Sequence, residues 1–251
     1  MKTGRTPLVR AARKSAPEAT EHAPAGSAVR LALRRRQRLP LEEHEENHTF
    51  ALESGCLTVD VSTGERRHVL LILYPGERID RGMVPPLPNI GLTAVTPSSV
   101  TRTLTAPRAA SGAIEVTAAP LGVAGANTAR LAARLGLHAI TIGCLSSEER
   151  LATLLAEIAL FTGLAGPLGC SFDLLLSRED MADYLAINPD TLSRLMSRLR
   201  SQKLLAMSSR SRATVGDLDA LLAMSPLSRA LRQMRPDPAP VDQAARNGVP
   251  A

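Results

Sequence analysis

Aromatic side chains are nearly missing from this 251-residue chain, which has no Trp, two Tyr and three Phe. Any core must therefore be assembled from Leu, Ala, Val and Ile, and a hydrophobic content of 44% supplies enough of them. Paired cysteines are missing as well. Cys56, Cys144 and Cys170 are scattered and odd in number, which argues against a disulfide framework and a zinc ribbon. Cys144 reads as a buried structural thiol, with a redox trigger as the alternative. Apolar runs long enough to cross a bilayer are absent too. The longest candidate, residues 158–172, is broken by Gly163, Gly166, Pro167 and Gly169. No secretory apolar segment opens the chain, and Glu18 and Glu21 are out of place in a transit peptide. The expectation is a cytoplasmic protein without a membrane partner. There is no P-loop, nucleophile elbow, HExxH or paired carboxylates in a glycine-rich loop, so neither an enzyme nor a bound metal or cofactor is expected.

Positive charge, by contrast, is plentiful but uneven. Residues 1–40 hold ten Lys/Arg, among them Arg34, Arg35, Arg36 and Arg38, against Glu18 and Glu21, a local surplus larger than the +6 of the whole chain. The isoelectric point near 9.9 is thus set by this stretch. A basic protein suits an acidic partner such as nucleic acid. Residues 1–38 read as a disordered basic tail and residues 229–251, rich in Pro and Ala, as a second one. Non-specific DNA contact by Arg34, Arg35, Arg36 and Arg38 is the less expected use of the first.

Between the tails the pattern changes period twice. Residues 39–112 read as β: Leu57, Val59 and Val61 alternate with polar residues, residues 62–65 are turn chemistry, and Val69–Tyr74 returns. Short strands between frequent turns suggest a small barrel or roll. Over residues 113–145 the period becomes helical. Ala124, Thr128, Leu131, Leu135, His138 and Ile142 form an a/d seam that packs either on its own sheet or on a second copy. A third unit, residues 146–228, opens with the capping pattern of Ser146 and Glu149, and Gly163 ends that helix.

In "SREDMADYLAINPDTLSRLMSRLRSQKLL", residues 177–205, two helix starts lie 11 residues apart. Ser177 with Asp180 opens a short helix. Asn188 caps the second, with Pro189 at its first position and Asp190 in its first turn. Only Ala186 and Ile187 remain between them, the geometry of a helix-turn-helix. Leu192, Met196 and Leu199 must face a core, while Asp190, Thr191, Ser193, Arg194, Ser197, Arg198 and Ser201 are left for a major groove, where Arg bonds guanine bidentately. Residues 204–215 then read as strand, polar turn and strand, a wing whose Arg210 and Arg212 suit phosphate. Ser177 and Arg178 suit it too.

These residues carry a resemblance. "CLSSEERLATLLAEIA" and "LSREDMADYLAINPDTLSRLMSRLRSQKLLA" resemble the DNA-binding half of the Crp/Fnr superfamily of bacterial transcription regulators. Residues 50–79 are similar to that family's cyclic-nucleotide-type β-roll. The resemblance implies an α+β chain: an N-terminal cupin-like β-roll, a long dimerisation helix and a C-terminal winged helix-turn-helix. It implies a homodimer on a palindromic operator in double-stranded DNA, with RNA polymerase as a further partner. It assigns base reading to Asp190, Ser193 and Arg194, and dimerisation to Leu131, Leu135, His138 and Ile142. Asp190 replaces the family's Glu, Ala186 its turn Gly and Leu175 a common Pro. Gly76-Glu77 matches the cyclic-nucleotide pair, but "PPLPNIGLTAVT" has no phosphate-holding Arg, so no nucleotide is expected. No cysteines cluster before Cys56 for an iron–sulfur centre, and haem on His44, His48 or His68 is not expected either. A ligand-binding or protein-interaction adaptor without specific DNA binding is the alternative function.

Overall fold

In the computed structural model the described residues are 28–41, 48–64, 66–104, 123–209 and 211–235. Among them, the first body is a β-roll of eight strands: β1 (Ala28–Leu33), β2 (Arg38–Pro40), β3 (His48–Ser54), β4 (Leu57–Thr63), β5 (Arg66–Leu73), β6 (Arg78–Asp80), β7 (Ile90–Ala94) and β8 (Ser98–Leu104). They make two antiparallel sheets, ordered β1-β8-β3-β6 and β2-β7-β4-β5. One apolar core is shared between them, with Phe50, Leu52, Val59, Leu71, Leu92 and Val100 buried. The alternation of β4 works as expected on the core side. Its polar side is covered as well, because buried Asp60 accepts from Arg38 (3.1 Å) and Arg67 (3.2 Å).

Residue 38 is not a tail boundary. Residues 28–33 pair with β8 along their whole length, and Leu33 enters the core. Backbone hydrogen bonds build that ladder, so the surrounding charge does not prevent it. The expected tail segments 1–27 and 236–251 lie outside the described residues, as do residues 105–112 at the end of the expected β-roll and 113–122 at the start of the expected dimerisation helix.

Helix α1 (Val123–Cys144) runs 22 residues, about 33 Å. Asn127 anchors its start on β6, accepting from Arg78 N (3.3 Å) and donating to Arg78 O (2.6 Å). Helix α2 (Ser147–Thr162) is capped by Ser146 and Glu149 as anticipated and buries every residue from Leu151 to Leu160. It is the axis of the second body. Around it stand α3 (Arg178–Leu185), α4 (Pro189–Ser201), α5 (Leu218–Ala223) and α6 (Ser228–Met234). A four-stranded sheet completes the body: β9 (Leu164–Gly166), β10 (Gly169–Asp173), β11 (Ala206–Met207) and β12 (Arg212–Val215), ordered β11-β12-β10-β9. The Gly and Pro residues that break the apolar run at 163–169 thus make a hairpin. Residues 229–234, also assigned to a tail, belong to helix α6, held by buried Leu231 and by an Arg232–Asp219 ion pair. One apolar anchor in a charged segment was too little for the pattern to register.

Candidate nucleic-acid interface

Capping decides how the two central helices meet. The Ser177 hydroxyl accepts from Asp180 N (3.1 Å) while Asp180 accepts from Ser177 N (3.3 Å), closing a reciprocal box at the start of α3. The helix ends at Ala186 in left-handed conformation, φ 50°, ψ 45°. A β-carbon costs about 1 kcal/mol there, and a glycine would not incur it. Arg150 of α2 holds the turn, donating to Leu185 O (3.1 Å) and Ala186 O (3.4 Å), carbonyls at the negative end of α3. Asn188 then accepts from Asp190 N (2.8 Å), and Pro189 starts α4.

Helix α4 is divided between core and solvent. Leu192, Leu195, Met196 and Leu199 are buried. Asp190, Ser193, Arg194, Ser197, Arg198 and Ser201 are exposed, and Thr191 is half-buried. The side chain of Arg194 meets no carboxylate among the described residues. Arg198 is less free: it pairs with Glu148 in the first turn of α2 at 2.9 Å. Ser197 donates to Ser193 O (2.9 Å) and accepts from Arg200 (2.9 Å), so its hydroxyl is held close to the helix. Arg178 is exposed beside half-buried Ser177, and Arg212 is exposed where β12 begins. The other wing residue, Arg210, lies outside the described residues.

A link between the β-roll and this motif left no trace in the sequence pattern. Arg67 of β5 bonds Asp180 at 2.5 Å, with Asp183 at 3.6 Å and Asp60 on its other side. Burial pushes the Asp180 carboxyl up, but Ser177 and Arg67 more than offset it and leave it below its ordinary value. Deeper lies a second junction. Buried Arg134 of α1 donates to both oxygens of Glu77 (2.8 and 2.9 Å), to Glu157 of α2 (2.6 Å) and to Ile72 O (2.6 Å). Tyr74 and Tyr184 add hydroxyl bonds to Glu157 at 3.4 and 3.3 Å. Glu77 of the suggestive Gly-Glu pair is therefore turned inward, held by Arg134 and by Tyr74 N (2.9 Å). Arg81, buried beside the following loop, donates to Val84 O and Pro85 O (3.3 and 2.8 Å).

Three of the four residues expected at the dimer seam are engaged within their own subunit. Leu131 is buried in the β-roll core, Leu135 packs at its edge, and His138 is buried with its ring stacked on Tyr184 at 4.1 Å. Burial lowers the His138 pKa. Of the residues named for that seam, Ile142 is exposed. The other side of α1 carries a second a/d stripe, Ala129, Ala133, Gly136, Ile140 and Gly143, all exposed. Cys144 is exposed too, and the buried thiol is Cys56, whose pKa burial pushes up to about 12. His48 and His68 lie on strands of different sheets, and His44 is outside the described residues. Among the described residues no His/Cys/Asp/Glu cluster suits a metal, and no helix is long and apolar enough to cross a membrane.

Residues 149–224 match the Crp-like helix-turn-helix domain family. Over 85 residues, 34% of this chain and 35% of the relative, the chain is 35% identical to a probable transcriptional activator of Rhizobium leguminosarum bv. viciae. It is also 35% identical over 89 residues to the transcriptional activator protein FnrL of Cereibacter sphaeroides, covering 33% of this chain and 35% of that one. These matches span about a third of the curated relatives' length. The fold is similar to FixK2 from Bradyrhizobium japonicum, with a TM-score of 0.63 and 22% identity over 79% of this chain and 98% of that one. It is similar also to TTHB099, a transcriptional regulator of the CRP family from Thermus thermophilus, with a TM-score of 0.61 and 22% identity over 78% and 96%.

Proposed function

We propose that this chain, a Crp/Fnr-type DNA-binding transcription regulator and not an enzyme, acts as a cytoplasmic homodimer on a palindromic operator in double-stranded DNA. The observation that carries the reading is the division of α4: four apolar residues locked in the core, and Asp190, Ser193 and Arg194 exposed at the end nearest a capped, clamped turn. Short side chains there allow close approach to base edges, and the Arg194 guanidinium, which meets no carboxylate among the described residues, is the group suited to guanine. Ser177, Arg178, Arg212 and Arg210 would hold backbone phosphates and set the register.

Dimerisation is assigned to the exposed stripe of α1. Its charged residues, Arg130 and Arg134, both face Glu77, so the outer face holds no ion at all. A solvated helix normally carries charge on its outer face. An uncharged face of Ala, Gly and Ile at heptad spacing fits a second copy of the same helix.

Arg194→Ala tests the reading. In mobility-shift titrations it should weaken operator binding by about 1–3 kcal/mol, roughly 5- to 150-fold, and relax preference at one base position. Wild-type affinity should itself fall steeply between about 50 and 200 mM salt. Equal binding by variant and wild type would remove Arg194 from the interface.

A further inference from the structure

We propose that the turn Arg34–Arg36, between β1 and β2, is a second DNA-contact surface that grips backbone phosphates of duplex extending beyond the two half-sites. The inference rests on the DNA-binding reading of α4 and adds the β-roll to the interface.

The turn is built rigidly. Gln37 N donates to Arg34 O (2.9 Å) and Arg34 N to the Gln37 side chain (3.0 Å). Arg36 N donates to Ala94 O (2.6 Å) and Ala94 N to Gln37 O (2.9 Å), tying both ends to β7. Arg36 sits at φ 66°, a conformation in which Gly or Asn is more at ease. A cationic side chain is thus held where the backbone disfavours any side chain.

The three cations are also unspent. Neighbouring Arg30, Arg38 and Arg67 each meet a carboxylate, whereas exposed Arg34, Arg35 and Arg36 meet none among the described residues. Arg35 and Arg36 line a cleft of about 220 Å³ whose opposite wall is Ser177, the cap of α3, with Arg67, Glu179 and Asp180. Asp180 is already met by Arg67 and Ser177, which leaves Glu179 against two guanidinium groups that meet no carboxylate among the described residues. In a helix-turn-helix the first helix crosses the phosphate backbone. The arginine turn therefore continues, on the β-roll, the line that Ser177 and exposed Arg178 begin. A rigid row of guanidinium forks suits successive phosphodiesters.

The test uses the full chain and an operator recovered from a random pool, in two lengths. One covers the two half-sites in about 22 base pairs, and the other adds about 15 on each side. The variant is Arg35→Ala with Arg36→Asn, since Asn tolerates the left-handed backbone. On the long duplex it should lose at least roughly tenfold in affinity, and the slope of log affinity against log salt should shrink by about 3–4, two arginines being removed from each of the two subunits. On the short duplex it should match wild type, and Arg35→Lys with Arg36→Lys should retain most long-duplex affinity. An unchanged long-duplex affinity, or an equal loss on both lengths, overturns the proposal. Failure of the wild type to bind the short duplex would instead sink the underlying DNA-binding reading.

Discussion

Replacing Arg134 with alanine should lower folding stability by about 3–5 kcal/mol, read as a shift of the urea unfolding midpoint. The guanidinium is 4% exposed and lies between two carboxylates that are themselves nearly sealed from solvent. It also sits over the rings of Tyr74 and Phe161, at 5.0 and 4.9 Å. Burial disfavours its charge, yet Glu157 and Glu77 outweigh that and raise its pKa above the ordinary arginine value. Without it, Glu77 and Glu157 would be buried with no countercharge, and Ile72 O would lose a donor. Breaking one member of such a set costs far more than removing the set. Arg134→Met combined with Glu77→Gln and Glu157→Gln should therefore recover much of the loss. An alanine variant within about 1 kcal/mol of wild type would contradict this account of the junction.

The largest effect on DNA binding is expected from Gly136→Glu. A β-carbon at Gly136 meets nothing within 4 Å, so the subunit has room for the new side chain. Glutamate also favours the helix over glycine by roughly 0.5–1 kcal/mol, so instability cannot explain a loss of binding. In a dimer built on the outer stripe of α1, two carboxylates would be forced together in an apolar seam. Sedimentation should then report a monomer, and affinity for a two-half-site operator should fall by about 10²- to 10⁴-fold, while a single half-site is bound as before. A dimer with wild-type operator affinity would mean that α1 associates through another face, or not at all.

How far these features could be read in advance depended on whether their signal was local. The helix-turn-helix was legible because its parts are neighbours in the chain: Ser177 with Asp180, Asn188 with Pro189, and an apolar stripe of period near four. Strand β1 was not, because a ladder with β8 some 70 residues away leaves little trace in a segment dominated by charge. The seam of α1 was legible as a period but ambiguous as a face. Both sides repeat at heptad spacing, and only the contacts of Leu131, Arg134 and His138 with their own subunit decide between them. The Gly76-Glu77 pair looked like half of a nucleotide site for the same reason. Glu77 meets Arg134 from 57 positions away, a distance at which no motif operates. Arg150 was within reach, since it belongs to the recognised "EER" stretch, but its role depends on the two carbonyls it finds across the fold.

Sequencing the duplexes that the wild-type chain retains from a random pool tests most directly whether α4 reads bases from a symmetric dimer. Two inverted half-sites, centred about 10–10.5 base pairs apart, should dominate the retained set. A retained set no different from the starting pool, or a single element without inverted symmetry, would contradict the account.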